Sequence, residues 1–250
     1  MPAPFHSTLP QGTPDLMRVS EFQRYLEELD RMPGAEPNSS RFTSLSASLL
    51  LDLQRFEHDG QSSEPIEVLA ACMRHTQPLA IHLQWGERVL SLTVFPGHHL
   101  VHCPVPIKQF TDSRLSELRV LQVERATLRA PGDEERALVA DPALYAPLAP
   151  VLWTMAMRGA REDLLPEIAG QAAYRVAPGA NLSGLDMTGA MASGVRRLRQ
   201  QTSNLREICE WPGIDRSTAM RLLNALYLQA ALIVSRTHPA ATNEGWFGYR

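Results

Sequence analysis

The stretch "NLREICEWPGIDRSTAMRLLNALYLQAALIVSR", residues 204–236, decides how the C-terminal part of this chain folds. It reads as a short helix, a tight turn, a second helix and a short strand. Leu205 and Ile208 stand three apart and face inward from the first helix. "WPG" at 211–213 is a turn. Asp215 is a good N-cap, because its carboxylate can accept from the free backbone N–H groups of the next turn. Ala219, Leu222, Leu223 and Leu226 then form an inward stripe, and "LIVSR" is short and β-branched, as a strand requires. The polar residues of 219–234 are Arg221, Asn224 and Gln229. Met220, Tyr227 and Leu228 stand beside them, a composition that fits a helix buried on more than one side.

Through "IDRSTAMRLLNAL" the chain resembles the winged helix-turn-helix family, particularly IclR-like bacterial regulators. The resemblance covers roughly fifty C-terminal residues and implies a winged-helix-like module at about 187–250. In that family the start of the second helix enters the major groove of DNA. Carried onto this chain, the contacting residues would be Arg216, Ser217, Thr218 and Arg221. The run "RRLRQQ" at 196–201 offers Arg196, Arg197 and Arg199 as phosphate contacts, or simply as a solvated helix face. Ala230 stands where the family usually has glycine, and alanine disfavours a left-handed turn. If the module meets a protein instead, Met220, Tyr227 and Leu228 are candidate hydrophobic contacts. So are Trp246, Phe247 and Tyr249 of the terminal "GWFGYR", expected as the last strand of the wing.

Upstream of this stretch the period of the sequence changes twice. Residues 1–16 are Pro- and Thr-rich and read as an extended arm. Val19, Phe22, Leu26 and Leu29 then lie on one helical face, as do Phe42, Leu45, Leu49, Leu53 and Phe56, and Ile66, Leu69 and Met73. From residue 78 the period is two. "LAIHLQW", "RVLSLTVF", "HLVHCPV" and "RVLQVERATLR" read as strands of a small, mainly antiparallel sheet, with Ile81, Leu83, Leu90, Leu92 and Val94 on its buried face. In "RVLQVER", Val120, Gln122 and Glu124 alternate with Leu121, Val123 and Arg125. "APGDEE" at 130–135 is the best boundary. Beyond it "DPALYAPLAPVLWTMAMRG" reads as two pieces and "EDLLPEIAGQAAYRV" as a continuation of a helical region. Met187, Met191, Val195 and Leu198 share a further helical face. The expected architecture is therefore α+β: N-terminal helices with a small antiparallel sheet over 17–130, then a helical C-terminal domain over 140–250 that ends in the winged-helix-like module.

Composition excludes several classes. The 250 residues are 44% hydrophobic and 20% charged, which fits a globular chain. Net charge is −3, an unusual balance for a protein that lives on nucleic acid. Residues 1–150 carry 13 Lys+Arg against 19 Asp+Glu, and residues 151–250 carry 11 against 8, so the basic surplus lies with the helix-turn-helix-like stretch. Lys108 is the only lysine, a bias toward Arg codons that points to a GC-rich bacterial genome. The cysteines Cys72, Cys103 and Cys209 form no CxxC pair, as expected of a reduced cytoplasmic protein. No signal peptide and no membrane-spanning run is read. "HHLVHC" gathers His98, His99, His102 and Cys103, but an extended strand splits them between two faces, against a four-ligand metal site. No GxSxG, HExxH or P-loop occurs. The expectation is a non-enzymatic regulator or adaptor without a cofactor, acting on another protein or on a second copy of itself, with DNA-binding transcriptional regulation as the alternative.

Overall fold

A computed structural model describes residues 16–31, 45–54, 64–132, 140–187 and 189–242. The first fifteen residues of the expected arm, Phe42, Phe56, residues 133–139 of the expected boundary, and Trp246, Phe247 and Tyr249 lie outside the described residues.

The period-two stretch folds as a sheet because alternate residues can be buried together on one side. β1 (Leu79–Trp85) and β2 (Arg88–Phe95) form a hairpin whose two-residue turn begins at Gly86, with a φ of 62°. Ile81 pairs with Leu92 and Leu83 with Leu90. Ile81, Leu83, Leu90, Leu92 and Val94 are all buried. β3 (Leu100–His102) pairs with β2, and β4 (Arg119–Arg125) returns to the far edge of β1. α4 (Ile107–Thr111) and a 3-10 turn at Leu115–Glu117 make that crossover. β5 (Tyr145–Pro147) then adds to β3, giving the antiparallel order β4-β1-β2-β3-β5 among the described residues.

Strict alternation fails in β4. Ile81 pairs with Val123 and Leu83 with Val120, with an irregularity between His82 and Leu83. The extra residue lets Val120 and Val123, three apart, both be buried, which is the effect of a β-bulge.

α3 (Pro65–His75) begins with a reciprocal capping box between Glu64 and Glu67. Ile66, Val68, Leu69 and Cys72 share one hydrophobic cluster with Leu49 and Leu53 of α2 (Ala47–Gln54) and with the inner face of the sheet. The other face is met by α1 (Val19–Asp30), where the Phe22 ring lies 5.1 Å from that of His82. Backbone bonds from Val19 to Glu87 and from Val89 to Met17 hold the start of this helix to the β1–β2 hairpin.

The same hydrophobic cluster continues through α5 (Leu148–Arg158), α6 (Gly189–Gln200), α7 (Leu205–Cys209) and α8 (Arg216–Leu228) to Ala231. The C-terminal half is less uniformly helical than its sequence predicts. Residues 161–172 form no helix, and Ala173–Val176 is a strand, β6. Pro166 and Gly170 interrupt the helical pattern there. Tyr174 is fully buried, with its hydroxyl donating to the Ile168 carbonyl at 2.7 Å. β6 lies between β7 (Ser203–Asn204) and β8 (Leu232–Ser235) in a three-stranded antiparallel sheet. α9 (Pro239–Thr242) follows β8, and Asn204 donates to its Ala240 carbonyl.

Candidate functional site

The helix–turn–helix stretch is built from local signals. Asn204 caps α7 by accepting from the Glu207 N–H at 2.8 Å, and the Glu207 carboxylate accepts from the Asn204 N–H at 3.2 Å. Ile214 N–H then closes the turn onto the Trp211 carbonyl. Asp215 caps α8, its carboxylate accepting from the Thr218 N–H at 2.7 Å. That bond holds the Asp215 carboxyl below its usual range. α6 crosses the turn at its small residues. A Cβ on Gly194 would come within 2.7 Å of the Ile214 side chain, and one on Gly213, at φ 73°, within 2.9 Å of Ala190. The two glycines in α6 and the turn are therefore what lets these elements approach.

The end of α8 departs from the expectation for Ala230. Its φ is 52°, in the left-handed region, although it is not glycine. Its N–H donates to Tyr227, and that of Ala231 donates to Leu226, the two bonds of a Schellman ending. Ala231 and Leu226 are buried, and their packing holds the turn against a conformational cost of about 1 kcal/mol.

Beyond its first turn, the polar residues of α8 and its C-cap face the protein interior. Arg221 donates to the carbonyls of Ala156, Met157 and Gly159, the last at 2.9 Å, and so caps the C-terminus of α5. Asn224 is fully buried; its side chain accepts from the Leu165 N–H and donates to the Asp163 carbonyl, both at 2.9 Å. Gln229 donates to Ala149 at the other end of α5. α8 thus lies antiparallel to α5 and grips its backbone at both ends. Met220 and Leu228 are buried in the chain's own core, so as candidate contacts they meet this chain and not a partner. Tyr227 is half-buried beside Arg74, and burial pushes its phenol up.

The outward face carries four arginines, with Glu210 and Asp215 exposed beside them. Arg196, Arg197, Arg199 and Arg216 are exposed, and Ser217 and Thr218 are half-exposed on the first turn of α8. Arg197 is ordered by Trp211, with its guanidinium 5.5 Å from the ring centroid. Arg199 donates to the Ala180 carbonyl. The structure therefore brings together the α6 arginines and the turn, while withdrawing Arg221 from the surface set.

The histidine cluster is dispersed. β3 covers only residues 100–102, so His98 ends a 3-10 turn and His99 sits at φ 54°. His102 is buried edge-on to Tyr145, 5.1 Å away, and neither ring nitrogen has a hydrogen-bond partner among the described residues. Burial lowers its pKa and favours the neutral ring. The Cys103 thiol, also buried, is pushed up to about 11. Among the described residues no group of three or more His, Cys, Asp or Glu is placed to hold a metal ion.

One constellation escaped the sequence reading. Ser91 Oγ lies 2.8 Å from His82 Nδ1, and His82 Nε2 lies 3.0 Å from Glu124 Oε1. The three residues belong to β2, β1 and β4, and only strand register brings them together. Each strand is paired within the sheet, so the flanking backbone N–H groups serve the ladder and not an oxyanion. Phe22 covers the imidazole. This arrangement satisfies the hydrogen-bonding groups of a half-buried histidine under a helix.

Comparison with protein-family models, with curated proteins and with solved structures finds no match to this chain. Among the described residues no helix is long and apolar enough to cross a membrane.

Proposed function

We propose that this chain is a non-enzymatic regulatory or adaptor protein that makes protein–protein contacts through its winged-helix-like C-terminal module. One observation carries the reading. The polar stripe of α8, where a DNA-reading helix presents its base contacts, is engaged within the chain: Arg221 and Gln229 bond carbonyls at the two ends of α5, and Asn224 bonds Leu165 and Asp163 of the loop after it. The exposed contact surface is then the arginine stripe of α6 with Arg216, Ser217 and Thr218. Its chemistry suits an acidic protein surface.

The test is capture from an extract of the source organism, with and without nuclease, using the native chain and an R196E/R199E/R216E variant. A protein retained after nuclease and lost with the variant supports the reading. Recovery of DNA alone, abolished by nuclease, overturns it in favour of transcriptional regulation. Titration of duplex DNA across salt gives an independent measure. Phosphate contacts would make binding fall steeply as salt rises.

A further inference from the structure

The first sheet is joined to the C-terminal half through β5, a strand of three residues. β5 is an edge strand and meets the sheet through β3: Leu100 pairs with Pro147, Val101 with Ala146 and His102 with Tyr145. Backbone bonds from Cys103 to the Leu144 carbonyl and from Leu148 to the His99 carbonyl close its two ends. α5 begins at Leu148, directly after it. The Tyr145 hydroxyl donates to the Arg129 carbonyl at 2.7 Å and accepts from the Ala140 N–H at 3.2 Å, so this one residue holds the chain at several points. Short edge strands open at lower cost than strands paired on both sides.

The histidine in this joint is unlike the other described histidines. His75 and His82 lie against the carboxylates of Asp52 and Glu124, His98 and His99 are exposed, and His238 accepts from the Ala240 N–H. His102 is 6% exposed, and neither of its ring nitrogens has a partner. Facing it are Thr93, its register partner on β2, and the Tyr145 ring of β5 at 5.1 Å, whose hydroxyl is already engaged. Along its row of the sheet the acid is Glu124, three strands away beyond Thr93 and Ala80 and bonded to His82. On its own strand the next residue is Cys103, whose thiol burial keeps neutral. A neutral imidazole survives in such a place, and burial pushes its pKa down. A protonated one brings two N–H donors and a charge to a site without an acceptor, which is costly until water reaches the ring.

We propose that His102 is an acid-sensitive release for β5: protonation of the imidazole detaches Tyr145–Pro147 from β3 while the longer β1–β2 hairpin stays paired. The sign follows from linkage. A ring that binds its proton less readily in the closed form than in the open form takes one up on opening. The closed form is therefore favoured above the ordinary histidine value of about 6.5 and is progressively lost as the pH falls below it. The joint lies outside the C-terminal module, so its test is independent of the adaptor reading. That test is amide hydrogen exchange of the full chain at about pH 7 and about pH 5.5, with rates corrected for the intrinsic effect of pH on exchange. Protection of the Cys103 and Leu148 amides is expected to fall about tenfold at the lower pH, with the β1–β2 hairpin unchanged. His102→Leu removes no hydrogen-bonded group, so this chain is expected to fold and to keep its β5 protection at both pH values. Unchanged β5 protection in the native chain overturns the proposal, as does an equal loss in the hairpin or in the leucine variant. If the leucine variant does not fold, nuclear magnetic resonance titration of the His102 ring in the native chain decides. A ring that charges over the interval in which β5 loses protection supports the proposal, and one that stays neutral while β5 is lost overturns it.

Discussion

Helices α6 and α8 have similar lengths and cross at Gly194, yet they use their polar residues in opposite ways. α6 turns Arg196, Arg197 and Arg199 to solvent. α8 turns Arg221, Asn224 and Gln229 inward. The difference comes from the neighbour. Helix α5 ends with carbonyls that have no partner within the helix, and the loop after it carries further backbone groups. Those groups sit under α8, and its polar side chains satisfy them. Over α6 the demand is smaller: Arg199 donates to the Ala180 carbonyl and Arg197 lies over Trp211, yet all three arginines stay exposed. A polar stripe on a helix therefore marks a demand for hydrogen bonding, and the demand can come from another backbone as readily as from water or a ligand.

The sharpest way to break this comparison is Asn224→Leu. It removes the partners of the buried Leu165 N–H and of the Asp163 carbonyl, and the expected loss is about 3 kcal/mol in denaturant unfolding. A loss below about 0.5 kcal/mol would show that α8 does not grip the loop after α5. Arg221→Ala should cost about 2 kcal/mol, since the C-terminal carbonyls of α5 lose a charged donor while water regains part of the site. Arg221→Lys should restore only part, because the three carbonyls gather around the single nitrogen Nη1, which the shorter lysine arm reaches less closely. Ala230→Gly has the opposite sign. Relief of the left-handed alanine should stabilise the chain by about 1 kcal/mol, read as a rise in melting temperature; a fall would mean that the lost side chain matters more than the strain. Arg196→Ala should move stability by less than about 0.5 kcal/mol, as for any exposed helix residue, while lowering partner capture. An equally small effect from Arg221→Ala would erase the contrast between the two helices.

The first sheet was largely legible because its register follows from burial of alternate residues. Ile81, Leu83, Leu90, Leu92 and Val94 share a face for that reason alone. The irregularity opposite His82 was not legible, since nothing in "RVLQVER" marks where a strand takes up an extra residue. β6 was missed for a related reason. "AYRV" is too short to show a period, and its strand state depends on β7 and β8 arriving on either side. The Ser91–His82–Glu124 contacts depend on the same kind of pairing across distant segments.

The sequence by itself determined the elements whose cause is local. The caps at Asn204 and Asp215, the turn at 211–213, the turn at Gly86 and the alternation of β1 and β2 each rest on residues a few positions apart. Tertiary structure alone decided which way each polar residue faces. Arg196 and Arg221 are both arginines on amphipathic helices, and no local pattern separates them. Arg221 is held because the end of α5, more than sixty residues earlier in the chain, packs against it and leaves carbonyls that need a donor. Satisfaction of buried backbone groups is a property of the assembled core, so the helix that reads as a contact surface becomes a structural clamp only when its neighbour is in place.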